Sequence, residues 1–169
     1  GPVRLTDGIH WDVLRLWSEI KSGIAATVKS CATLDGIGLD AWGVDFALLD
    51  KNNSLLSNPF HYRDERTDGM LDEGFRRMSR ADIFSNTGIQ FIQINTLYQL
   101  LAMAVQNSPL FDVATTFVTI PDLFNYWLRH KINFSGSIYA FLQQGWYLTS
   151  AKSLSFGLPL SLLVQFRQI

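Results

Sequence analysis

Three glycines and two carboxylates crowd into one short stretch, Gly36-Ile37-Gly38-Leu39-Asp40-Ala41-Trp42-Gly43-Val44-Asp45-Phe46. Its apolar residues ask for burial, and polar groups are costly there unless hydrogen-bonded. Asp40 and Asp45, placed near strand ends, could therefore hold a polyhydroxylated ligand or a metal. They could equally bond to backbone turns. Glycine at position 43 would let ligand hydroxyls approach the main chain, or would mark a bulge. A second polar group, Gln90, Gln93 and Asn95, is interleaved with Phe91, Ile92 and Ile94. Neutral amides beside aromatic rings suit sugars, because they supply donors and acceptors without a desolvated charge. Asn95 serves as well for a helix cap.

Other chemistries lack their residues. Gly36 and Gly38 open an apolar run instead of joining a strand to a helix, so they make no dinucleotide fingerprint, and GxxxxGK[ST] and GxSxG are absent. His10, His61 and His130 have no ligand spacing to one another or to the lone cysteine, Cys31, so no metal site is expected. One cysteine also excludes an internal disulfide and fits a reducing, cytoplasmic setting. With 14 Lys+Arg against 15 Asp+Glu the chain carries no basic footprint for nucleic acid, and its most apolar stretch, 154–164, is too short to span a membrane.

The elements that must position these residues follow from periodicity. Asp12 caps a helix on which Val13, Leu16, Trp17, Ile20, Ile24 and Val28 share a face. Residues 37–42 and 44–49 read as strands, 50–53 as a turn, and 55–62 as a returning strand held towards an edge by Pro59. Residues 63–82 hold five arginines and six acids and read as a solvated, locally neutral surface. Helices are expected over 70–78, after Ser79 and from Asn95-Thr96, then a strand over 115–120 and a helix opened by Pro121. At 169 residues and 47% hydrophobic, this is one α/β domain with part of its sheet parallel.

With these stretches in place, the chain resembles the FGGY carbohydrate kinases, and within them the rhamnulokinase branch. The resemblance is carried by Asp7-Gly8-Ile9-His10-Trp11-Asp12-Val13, by residues 37–46 quoted above, and by His61-Tyr62-Arg63-Asp64-Glu65-Arg66-Thr67. It continues in Thr87-Gly88-Ile89-Gln90-Phe91, Asn95-Thr96-Leu97-Tyr98-Gln99-Leu100 and Pro121-Asp122-Leu123-Phe124-Asn125-Tyr126-Trp127-Leu128. The match is strong over 1–128 and weak over 129–169, where only Gly157-Leu158-Pro159-Leu160 looks familiar.

The resemblance implies a ribonuclease-H-like (actin-like ATPase) N-terminal kinase domain, incomplete, with a mixed sheet flanked by helices. It implies the sugar-binding part of an ATP- and Mg-dependent ketose kinase, with neither cofactor bound to this piece. Gly43, Trp42, Asp45, Gln93 and Asn95 are the expected sugar contacts. Ala41 stands where the family usually has Thr. The phosphate loop would lie upstream and the general base downstream, so no catalytic residue is nominated and the piece alone is expected to be inactive. The alternatives are a non-catalytic remnant serving as a binding or assembly module, and a hydrolase using Asp40 and Asp45 as a carboxylate pair. Homo-oligomerisation is expected through the open sheet edge at residues 37–42, or by exchange of the C-terminal segment beyond Lys131.

Overall fold

The computed structural model describes residues 1–31, 33–88 and 90–129, so expectations for residues 130–169 lie outside the described residues. A hairpin comes first: β1 (Pro2–Leu5) pairs antiparallel with β2 (Gly8–Trp11). Its turn needs Gly8, whose φ is +145° and whose Cβ, if present, would lie 2.6 Å from Asp64 Oδ2. Helix α1 (Val13–Ser30) follows, and Asp12 accepts from Arg15 N–H as the cap expected of it.

Strand β3 (Phe46–Leu49) is buried on both faces and pairs antiparallel with β4 (Thr116–Thr119). Alternation along β3 divides the core. Phe46 and Leu48 join one cluster with Phe117, Tyr98 and Leu101, under α2 (Met70–Arg77) and α4 (Thr96–Val105). Ala47 and Leu49 join another with Val118, Leu123 and Phe124, covered by α1 and α6 (Ile120–Arg129). Helices on both sides of one sheet make the chain mixed α/β. Between these elements lie a 3-10 turn (Glu65–Thr67), α3 (Arg80–Thr87) and the short α5 (Leu110–Val113).

Three expectations are corrected. Both ladders among the described residues are antiparallel, not partly parallel. The connection from β3 to β4 runs through several helices, so alternation of strand and helix does not fix its direction of return. Residues 55–62 do not form one returning strand: Leu55 bridges to Leu49, whereas Phe60 bridges to His10, so the segment passes from one ladder to the other. Pro59, which has no N–H, contributes its carbonyl to Trp11 N–H at 2.8 Å.

Residues 37–42 form no strand, and Ile37 is 54% exposed. The expected sheet edge is thus a segment outside any described ladder. Gly38 and the exposed Asp40, whose Oδ1 accepts from the next backbone N–H, favour local turns over strand pairing.

Candidate functional site

The strand that carries the site begins only after a tight turn. Asp45 N–H donates to Gly43 C=O at 2.9 Å, and Val44 between them has φ 68°. This is a γ-turn of the rarer, positive-φ hand, which a β-branched residue adopts only under strain. The neighbouring helix holds it in place: Thr96 Oγ1 donates to Val44 C=O at 2.7 Å. Strain therefore sits at Val44, not at Gly43. Gly43 has no positive φ, and a Cβ on it would meet nothing within 4 Å. Gly43 is exposed and Trp42 half-buried, so both can be reached from solvent.

Asp45 lies just beneath, only 2% exposed. Its Oδ2 accepts from the indole N–H groups of Trp11, at 2.5 Å, and Trp42, at 2.9 Å. Its Oδ1 accepts from Gln99 Nε2 at 2.8 Å. Trp42 and Trp11 pack ring to ring at 4.1 Å, and Trp11 stacks on His61 at 4.3 Å. Asp45 is thus an anchor for two indoles. Asp40 is exposed at the surface and accepts from the next backbone N–H, whereas Asp45 is closed in by three donors, so the two aspartates do not share one environment.

Gln93 and Asn95 are half-buried and lead into α4. Gln93 Nε2 donates to Asp68 Oδ1 at 3.0 Å. Asn95 takes the cap position of α4, but its side chain turns back to donate to Gln90 C=O at 2.8 Å. Gln99, one turn further on, joins this loop to the γ-turn: its Nε2 reaches Ile94 C=O at 3.0 Å as well as Asp45. Periodicity assigns Gln99 no role, because a polar residue on an apolar helix reads as its solvent side.

The charged stretch 63–82 also departs from expectation at its start. Asp64 and the Arg66 side chain are buried, not solvated. Asp64 accepts from the backbone N–H of Ile9 at 2.6 Å and of Arg66 at 3.0 Å. Arg66 donates to Gln99 Oε1 at 2.7 Å, and its guanidinium lies 4.0 Å from the Phe60 ring centre. Charge balance alone could not reveal this, since a neutral run looks the same whether its pairs face water or protein. Distal to it the reading holds: Glu73 pairs with Arg76 and Arg77 at the surface.

Burial pushes the Asp45 carboxyl up from its ordinary value, against its hydrogen bonds from Gln99, Trp11 and Trp42. Burial likewise pushes His61 down, and its Nδ1 accepts from Arg63 N–H at 3.0 Å, which suits a neutral ring. A base with a lowered folded value contributes stability present above its ordinary 6.5 and lost as pH falls through the folded value. The raised Asp45 has the opposite sign: its contribution is full below 3.8 and is lost as pH rises through its folded value. The urea midpoint should consequently fall as pH drops below 6.5, and fall less in His61→Gln. Equal slopes in the two proteins would contradict this.

Among the described residues no three His, Cys, Asp or Glu side chains gather to hold a metal ion, and no helix is long and apolar enough to cross a membrane.

A family model for the N-terminal domain of the FGGY family of carbohydrate kinases matches residues 6–137. Rhamnulokinase from Oceanobacillus iheyensis is 43% identical over 129 residues, covering 76% of this chain and 27% of that protein. Rhamnulokinase from Enterobacter sp. is 41% identical over 123 residues, covering 73% and 25%. The matched stretch thus spans about a quarter of these relatives' length. Among solved structures, gluconate kinase from Lactobacillus acidophilus aligns with TM-score 0.68 at 16% identity, over 78% of this chain and 27% of that one. Ligand-bound xylulose kinase from the same organism gives 0.66 at 16% identity, with the same coverage. At that identity the structural likeness speaks for the fold.

Proposed function

Because the chain belongs to the FGGY family of carbohydrate kinases, matching its N-terminal domain, we propose that it is the sugar-binding part of an ATP-dependent kinase of a rhamnulose-type ketose. In the complete protein a phosphoryl group would pass from ATP to a sugar hydroxyl, with ATP and Mg held elsewhere. The family's two-domain, ribonuclease-H-like architecture and a cytoplasmic location belong to the same proposal. Phosphoryl transfer depends on positioning and charge stabilisation more than on covalent chemistry by the protein. This chain's share is positioning: to seat the sugar and exclude water from one side of it. No residue described here is assigned as the general base, and the chain alone is proposed not to turn over.

One observation carries the reading. The exposed Gly43 and half-exposed Trp42 are tied to the Gln93–Asn95 loop through the first turns of α4. This joins an indole wall, a glycine that leaves room for hydroxyls, and neutral amides. Trp42 supplies a flat apolar face, Gln93 and Asn95 supply donors and acceptors, and Asp45 contributes by fixing the indole.

The test is isothermal titration of the chain with rhamnulose. Gly43→Ala should weaken binding roughly tenfold, a loss of about 1.4 kcal/mol, by intruding on the ligand. Since neither strain nor a clash within the chain opposes the methyl group, folding stability should change by no more than about 0.5 kcal/mol. Absence of binding in the parent, or equal affinity in the variant, would overturn the assignment.

The proposal includes self-association of two copies through the segment 37–42, which lies in no described ladder and exposes Ile37. Sedimentation velocity at micromolar concentration should show a dimer that Ile37→Lys disperses. A monomeric parent would count against it.

A further inference from the structure

Gln99 is 1% exposed, and every polar atom of its side chain is engaged. Its orientation follows from chemistry. Arg66 has only donors, so the atom 2.7 Å from Nη2 must be Oε1. The amide nitrogen then faces acceptors alone: Asp45 Oδ1 at 2.8 Å, Ile94 C=O at 3.0 Å and Val44 C=O at 3.3 Å. One planar group thereby joins the strained turn, the carboxylate beneath both indoles, the Gln93–Asn95 loop and the buried guanidinium.

We infer that Gln99 is the positioning residue of the sugar face, holding the Val44 turn and the Asp45 carboxylate so that Gly43 and the Trp42 indole keep one orientation towards the Gln93–Asn95 loop. The inference rests on reading that face as a sugar site. Gln99 never touches the ligand. It acts through Asp45, whose Oδ2 receives the Trp42 indole N–H, and through Val44, whose positive φ needs outside support to persist. Glutamate is the informative replacement, because it keeps the length and the acceptor for Arg66 but turns an oxygen towards three acceptors. Methionine removes both kinds of contact at similar volume.

The experiment uses the ¹⁵N-labelled chain, whose five tryptophans give five indole N–H signals. In Gln99→Glu and Gln99→Met the Trp11 and Trp42 signals should move by more than their linewidth while those of Trp17 and Trp127 stay. Rhamnulose affinity should weaken roughly tenfold, the scale of one hydrogen bond to a charged group. In the unmodified chain the Gln99 side-chain N–H protons should exchange as slowly as backbone amides of α4. Unmoved Trp11 and Trp42 signals in a folded variant would overturn the inference, and so would fast exchange of the Gln99 amide in the parent, a result that stands even if both variants fail to fold. Moved indoles in a chain that binds no rhamnulose would leave Gln99 as the clamp and remove the sugar reading. Unmoved indoles in a chain that binds the sugar would do the reverse.

Discussion

Arg66→Met should destabilise the chain by roughly 3–5 kcal/mol, the cost of leaving a buried carboxylate and its neighbours without their cation. The Arg66 and Asp64 side chains are 5% and 6% exposed, with Nε to Oδ1 at 3.8 Å. That separation is too long for a hydrogen bond, so Arg66 is secured mainly by its contacts to Gln99 Oε1 and C=O and by the face of Phe60. Burial lowers its pKa to about 10, which leaves it charged at neutral pH. Removing it frees the Gln99 oxygen and leaves Asp64 without a nearby cation. Arg66→Lys should recover little, because an ammonium cannot reproduce the guanidinium's fork. Urea denaturation measures the difference; a loss under about 1 kcal/mol would show that the buried cation carries no structural weight.

Asp45→Ala should cost about 2 kcal/mol or more, since the Trp11 and Trp42 indoles would each keep a donor with no acceptor, at about 1–3 kcal/mol apiece, while Gln99 Nε2 would retain the carbonyls of Ile94 and Val44. Relief of the buried charge offsets part of this, in keeping with the raised pKa. Asp45→Asn separates the two contributions. Its oxygen can still take both indole N–H groups, but its amide nitrogen would then face the Gln99 nitrogen, donor against donor. The asparagine variant should fall between parent and alanine in urea midpoint. An alanine variant as stable as the parent would contradict the anchoring role.

Much of the frame was legible because its signals are local. Asp12 and Ser79 accept from the helices they open, and Gly88 closes α3 in the left-handed conformation. Residues 44–49 read as a strand, and all but the first two form one, Phe46–Leu49, buried on both faces. Ladder direction was not legible, because it depends on where a long connection returns. The β1–β2 hairpin went unread because Thr6-Asp7 is a weak turn signal, and Gly8 is demanded by contact with Asp64, far along the chain.

The candidate site divides in the same way. Gly43, Asp45, Gln93 and Asn95 stood out by residue type and Trp42 by the family resemblance, and Thr96 and Gln99 bring their two segments together. The partners of Asp45 and Gln99 could not be read from residue type. A carboxylate in an apolar segment suggests ligand contact, and a glutamine on a helix suggests water. Here the carboxylate is closed in by three donors, and the glutamine is the amide that closes it. Only tertiary contact distinguishes these cases.

Rhamnulose is proposed to lie against Gly43 and Trp42, with Gln93 and Asn95 as further contacts. Titrating rhamnulose into the ¹⁵N-labelled chain tests it most directly. The predicted result is saturable shifts confined to the Gly43 amide, the Trp42 indole and the Gln93 and Asn95 side-chain amides, with Asp40 and Ala41 unmoved. Shifts clustered elsewhere, or none at saturating sugar, would contradict it.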